Sequence, residues 1–231
     1  MKQGFRIIDI SQPVSSATAC FPGDVPFSRQ VTLNYANSAA GGGGVINLSA
    51  LTMSPHVGTH ADAPVHIQGS FDAENSSEAT IGQLPLSPFV GPALVVDLSP
   101  WSEAIQWAQV EPYLVAWPEL PSRVLFKTQA QNQANQFQPP YAWPAVDLIQ
   151  ALAQRGVVLV GIDTPSVDFV DSKTLDSHHA LLQASMVWLE NLDLTDVTTT
   201  SPAHTPPFLV ALPLKLMELE ASPVRAILLQ Y

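Results

Sequence analysis

A single cysteine, Cys20, in 231 residues excludes an intramolecular disulfide framework and any all-cysteine zinc or iron–sulfur site. Basic residues are also scarce. Nine Lys+Arg stand against twenty Asp+Glu, a formal charge of 9 − 20 = −11. Nucleic acids and anionic membranes both require a basic footprint, so neither is expected as a partner. No apolar run approaches the roughly 18 residues of a membrane span. The opening MKQGFRIIDIS has no apolar signal-peptide core. A cytoplasmic protein is therefore expected, in keeping with one free thiol. Charged residues make up 13% and hydrophobic ones 46%, enough to build a sizeable core. No Gly-x-Ser-x-Gly elbow occurs, so a serine hydrolase of the α/β type has no support.

What the chain does have is punctuation and histidine. Its 21 prolines are scattered, as loop markers are, and no internal repeat appears. The four glycines at 41–44 read as a flexible surface connection or as a flap over a pocket. Short apolar and β-branched runs predict strands over 5–10, 45–53, 93–98, 123–128, 157–163, 185–189, 208–212 and 224–229. Several are apolar on both faces, which suits strands covered on both sides. Helices are predicted over 144–154, with Pro144 in the first turn and Gly156 as the stop, and over 174–184, with Asp176 or Ser177 as cap. A shorter one is predicted over 214–220. The expectation is an α/β (α+β-like) chain, one domain over 1–231, with a largely β core flanked by a few helices.

Five of the six histidines fall in two clusters. The first is Ser54-Pro55-His56-Val57-Gly58-Thr59-His60-Ala61-Asp62-Ala63-Pro64-Val65-His66. Residues four apart share a helical face, but Pro55, Gly58, Thr59 and Pro64 oppose a helix. An extended chain works better, because 56, 60, 62 and 66 are all even and point to one side. Gly58 supplies a bend that shortens the span, so His56, His60 and Asp62 can converge while Pro64 redirects the chain and brings His66 alongside. Two imidazoles and a carboxylate are ligands of catalytic zinc, and an aspartate can bridge a second ion. The second cluster is Ser177-His178-His179, followed by Glu190 in an apolar setting. A buried carboxylate there needs a metal, a hydrogen bond or an arginine, and the residues alone leave that open. Adjacent helical residues diverge by about 100°, so His178 and His179 are not expected to share an ion. Cys20 has no base placed by sequence and reads as a small buried thiol. His204, among prolines, reads as a loop residue.

The motif His56-Val-Gly-Thr-His60-Ala-Asp62-Ala-Pro-Val-His66 resembles the signature of the metal-dependent cyclase family, in its bacterial formamidase branch. The likeness continues through Phe21-Pro22-Gly23-Asp24, the stretches 123–128 and 161–168, His178 to Leu182, Glu190 to Leu194, and Ser222 to Ala226. It implies a swivelling β/β/α fold and two zinc ions, with manganese as the alternative. His56, His60 and Asp62 would hold one ion. His178 and a bridging Glu190, twelve residues apart, would hold the second with Asp62, and His66 would be the proton shuttle. The implied reaction is hydrolysis of N-formyl-L-kynurenine to L-kynurenine and formate by a metal-bridging hydroxide, in tryptophan degradation. Within the same family the alternatives are an isatin hydrolase-like enzyme or a catalytically silent metal-binding relative. Formamidases of this branch commonly carry tryptophan where this chain has Phe21, a substrate-pocket position whose ring can still stack on an arylamine. The resemblance also implies a homodimer.

Overall fold

The computed structural model describes residues 4–36, 46–68 and 79–230. The four glycines at 41–44, expected as a connection or flap, lie outside the described residues. In chain order the elements are β1 (Arg6–Asp9), β2 (Ser28–Leu33), β3 (Leu48–Thr52), β4 (His60–Asp62), β5 (Val90–Pro92), β6 (Leu94–Asp97), β7 (Ala104–Ile105), α1 (Trp107–Leu114), β8 (Arg123–Lys127), β9 (Trp143–Pro144), α2 (Val146–Ala153), β10 (Leu159–Ile162), α3 (Asp176–Gln183), β11 (Val187–Glu190), β12 (Phe208–Val210), β13 (Ala221–Pro223) and β14 (Ile227–Gln230).

Three layers result. The central six-stranded sheet has the order β13-β4-β11-β10-β8-β6, and a four-stranded sheet has the order β1-β14-β12-β5. Strands β6, β8, β10 and β11 run parallel, while β4 pairs antiparallel with both β11 and β13. The period-two rule of a strand separates its residues between two cores. In β8, Leu125 joins the cluster shared with the four-stranded sheet (Phe89, Leu209, Leu228), whereas Val124 and Phe126 face the helices (Leu148, Ile149, Leu152, Leu181). In β10, Leu159 takes the first side and Val160 and Ile162 the second. This explains why the central strands read as apolar runs without alternation. The architecture is the mixed α/β, β-dominated one expected, and β2 and β3 form a separate hairpin.

Four local expectations need correction. Residues 214–220 are not a helix, because their carbonyls serve tertiary partners: Gly82 N–H donates to Leu216 O, Ile81 N–H to Leu219 O, and Ala63 N–H to Glu220 O. Helix α1 was not anticipated, since Pro112 lies inside it; Gln109 Oε1 accepts the Gln106 N–H at its start, and Val110 and Leu114 are buried. Pro144 belongs to β9, and α2 begins two residues later; Gly156, at φ +78°, does terminate that segment. Neither Asp176 nor Ser177 caps α3. Asp168, before the helix, does so, accepting the Ser177 N–H (3.0 Å) on Oδ1 and the His178 N–H (3.1 Å) on Oδ2.

Candidate metal centre

The histidine motif leaves a turn, enters β4 and ends in a short 3-10 turn over Pro64–His66. Gly58 has φ +73°, the backbone that folds the chain between His56 and His60. Strand β4 lies between β11 and β13, with His60 opposite Glu190 and Asp62 opposite Ala221. Ala61 faces the inter-sheet core, so His60 and Asp62 share the opposite, helix-side face. Trp188 and Glu190, two apart in β11, face that side as well. Helix α3 brings His178 against the same spot.

His60, Asp62, His178 and Glu190 are all buried, at 1%, 1%, 3% and 4% exposure. Asp62 is the hub. Its Oδ1 lies 3.1 Å from His56 Nδ1 and 3.4 Å from His60 Nε2. Its Oδ2 lies 3.8 Å from His178 Nε2 and 3.9 Å from His66 Nε2, and accepts the Trp188 Nε1–H at 2.9 Å. Glu190 spans the two groups, with Oε2 at 3.2 Å from His60 Nε2 and Oε1 at 3.5 Å from His178 Nε2. Oε1 also accepts the Val167 N–H at 2.8 Å. Thus the arginine alternative for Glu190 is not what the fold uses. His56, Asp62 and His66 form one group whose ligand atoms lie within 4.8 Å of one another; His60, Asp62 and Glu190 form another.

The hydrogen-bonding partners fix two tautomers. His60 Nδ1 is 2.9 Å from Gly58 O, which only accepts, so the proton sits on Nδ1. His178 Nδ1 is 2.6 Å from Asp168 Oδ2, and the same logic holds. In the neutral ring that metal ligation requires, each Nε2 then presents a lone pair to carboxylate oxygens, an arrangement of acceptors facing acceptors. His60 Nε2 and Asp62 Oδ1 are buried without any hydrogen-bond partner. Such orphaned acceptors are costly unless a cation lies between them. The donor set of imidazole and carboxylate, with outer partners Gly58 O and Asp168 holding the rings, fits a divalent metal ion.

The electrostatics follow. Burial works to lower the His56 pKa, but the Asp62 carboxylate, aided by Glu220 and Glu190, pushes it up to about 11. Burial likewise opposes ionisation of Asp62, yet His56, His60 and His66 hold it well below the usual carboxylate range. Burial pulls the His66 pKa down, with the neighbouring His56 and His178 in the same direction against Asp62, so this imidazole is neutral at neutral pH. His178 is raised by Asp168, Glu190 and Asp62 in spite of burial.

Above the acceptor cage opens a cavity of about 960 Å³, lined among others by Phe21, Trp101, Gln129, Phe137, Tyr141, His56, His66, His178, Glu190 and Glu220. Phe21 meets Phe137 edge to face, with centroids 5.2 Å apart. His66, with 29% of its side chain exposed, sits between cage and cavity. His179 is half-buried and absent from the cavity lining, and His204 is exposed. Cys20 lines the cavity wall, its Sγ 3.8 Å from Asp24 O. Sequence reasoning did not single out Trp188, Asp168 or Glu220. Trp188 was accessible to it, being two residues before Glu190 on one strand face; the other two meet their histidines only through the tertiary fold.

The family follows from these features and from comparison. Residues 8–169 match the family model described as "Putative cyclase", and the chain belongs to that family. Its curated relatives are more particular. The kynurenine formamidase of Paracidovorax citrulli is 43% identical over 95% of this chain and 94% of its own. That of Bordetella petrii is 41% identical over 96% and 97%. Among solved structures, a predicted metal-dependent hydrolase from Bacillus stearothermophilus superposes with a TM-score of 0.75 at 25% identity, covering 99% of this chain and 100% of its own. Isatin hydrolase A from Labrenzia aggregata shares the fold with a TM-score of 0.81 at 21% identity, covering 98% and 94%.

Proposed function

We propose that the protein is a metal-dependent arylformamidase that hydrolyses N-formyl-L-kynurenine to L-kynurenine and formate in tryptophan degradation. The observation that carries this reading is the cage of unpartnered acceptors beneath an aromatic-walled cavity. It occurs in a chain some 40% identical over nearly its full length to kynurenine formamidases. In this reading His56, His60 and Asp62 hold one zinc, and His178 and Glu190 hold a second with Asp62; manganese is the alternative ion. Divalent ions so held would supply Lewis acidity for the formyl oxygen and a water activated at neutral pH.

The chain's own groups do the rest. Phe21 and Phe137 flank the aryl ring. Glu190 and Asp62, fixed by the Val167 N–H and the Trp188 Nε1–H, keep the ligand atoms at their separations. His66, neutral and facing the cavity, accepts a proton at Nε2 and delivers it to the departing arylamine nitrogen. The test is to measure bound metal and then assay N-formylkynurenine and isatin side by side. Formate release from the first with zinc bound is expected. Turnover of isatin alone, or of neither, contradicts this reading.

A homodimer also belongs to this reading. Every residue of strands β2 and β3 is exposed, Val31, Leu48 and Leu51 included, although a two-stranded hairpin without a packed face is marginal in water. A second copy docking on this arm would cover it symmetrically. The expected solution mass is twice that of the chain, reverting to the monomer in Leu51→Asp; a native monomer contradicts it.

A further inference from the structure

An α-amino acid substrate carries an ammonium and a carboxylate, and a pocket that reads both normally meets the carboxylate with arginine or lysine. Among the described residues this cavity has neither. None of the eight basic side chains among the described residues lines it. The stretches outside the described residues contain a single basic residue, Lys2. In place of cations the wall presents uncharged amides, Gln12, Gln129 and Gln133 among them. Its acids are Asp24, Glu190 and Glu220. Glu190 belongs to the acceptor cage. The Asp24 carboxylate accepts the Ser54 hydroxyl at 3.2 Å, beside Phe21. Glu220 lines the cavity with 19% of its side chain exposed and Oε1 3.5 Å from His56 Nε2.

These groups favour one charge on the ligand. A carboxylate in the wall region would lose water without gaining a counter-charge, which is costly, so it stays at the mouth in solvent. An ammonium there gains a charge-assisted hydrogen bond to an acid. The net charge of −11 also attracts cationic ligands and repels anionic ones.

We infer that the cavity selects aryl formamides whose side arm ends in an ammonium, read by Glu220, with Asp24 as a second acid of the wall, and that the substrate carboxylate is dispensable. This rests on the formamidase reading and adds to its substrates the decarboxylated amine, a 2-formamidophenyl 2-aminoethyl ketone. The chemistry is unchanged. The oxygen of water bonds to the formyl carbon and the formyl C–N bond breaks. The nitrogen keeps the bond pair and takes a proton, leaving formate and a free arylamine.

The test compares kcat/KM of the zinc-loaded protein on four compounds. They are N-formyl-L-kynurenine, the decarboxylated amine, the acid analogue that lacks the ammonium, and neutral 2-formamidoacetophenone. The amine is expected within tenfold of N-formyl-L-kynurenine, and the acid analogue more than tenfold below the amine. In Glu220→Gln the amine-to-neutral ratio should fall about tenfold, a ratio that losses in metal or folding leave unchanged because both substrates share them. An amine more than tenfold slower than N-formyl-L-kynurenine, or an unchanged ratio in the variant, overturns the inference while leaving the formamidase reading intact. Hydrolysis of none of the four overturns that reading and the inference with it.

Discussion

His60 shows how much chemistry one ring can carry. Gly58 O accepts the hydrogen bond of its Nδ1–H, and its Nε2 faces two carboxylates, an arrangement that a cation between them would satisfy. The residue types and their even spacing placed His60 and Asp62 on one face from sequence, because strand geometry is local. Glu220 and Asp168 were not legible as partners, since the groups they touch lie 164 and 10 residues away in sequence. Two outcomes follow at this scale. His66→Ala should keep its bound metal and lose about 10²–10⁴-fold in turnover, a proton-transfer loss; loss of metal instead would make His66 a ligand, as its place in the His56 and Asp62 group allows. The raised His56 pKa has a defined sign. In the metal-free fold its stabilisation is full below the free imidazole value of 6.5 and is lost as pH rises through about 11. A ligand imidazole must be neutral, so zinc uptake at pH 7 should release about one proton or more per chain. Calorimetry in two buffers of different ionisation enthalpy counts these protons, and a count of zero contradicts the assignment.

At the scale of elements, legibility depended on whether the determinant was local. Strand β10 and helix α2 read clearly, because an apolar run or a 3.6-residue period lies within the segment itself. Helix α1 was hidden by Pro112, and the apolar pattern of 214–220 suggested a helix that tertiary hydrogen bonds to Ala63, Ile81 and Gly82 replace. Asp168 ties an element to the site: one carboxylate caps α3 and holds His178 Nδ1. Asp168→Ala should therefore cost about 1–3 kcal/mol of stability through the unsatisfied N–H groups. It should also weaken metal binding about 10–100-fold through the freed imidazole. Denaturant melts and chelator competition separate these effects, and a stability loss with unchanged metal affinity would reduce Asp168 to a helix cap.

On the scale of the whole molecule, three layers meet at the central sheet, which is buried on both faces and closes around Gly161. A Cβ there would lie 2.6 Å from Leu125 Cδ2 and 2.8 Å from Leu192 Cδ1. Gly161→Ala should destabilise the fold by about 1–3 kcal/mol through overpacking, read as a lower denaturation midpoint; an unchanged midpoint would mean that the inter-sheet layer is slack. The layered class was legible because parallel central strands lack alternation, whereas the order of strands was not, since pairing is a long-range choice. The most direct test of the central claim is zinc titration of chelator-stripped protein with N-formyl-L-kynurenine as substrate. The account predicts negligible formate release without metal and activity that rises to saturation at two zinc ions per chain. Full turnover by the stripped protein, or none at any zinc loading, would contradict it.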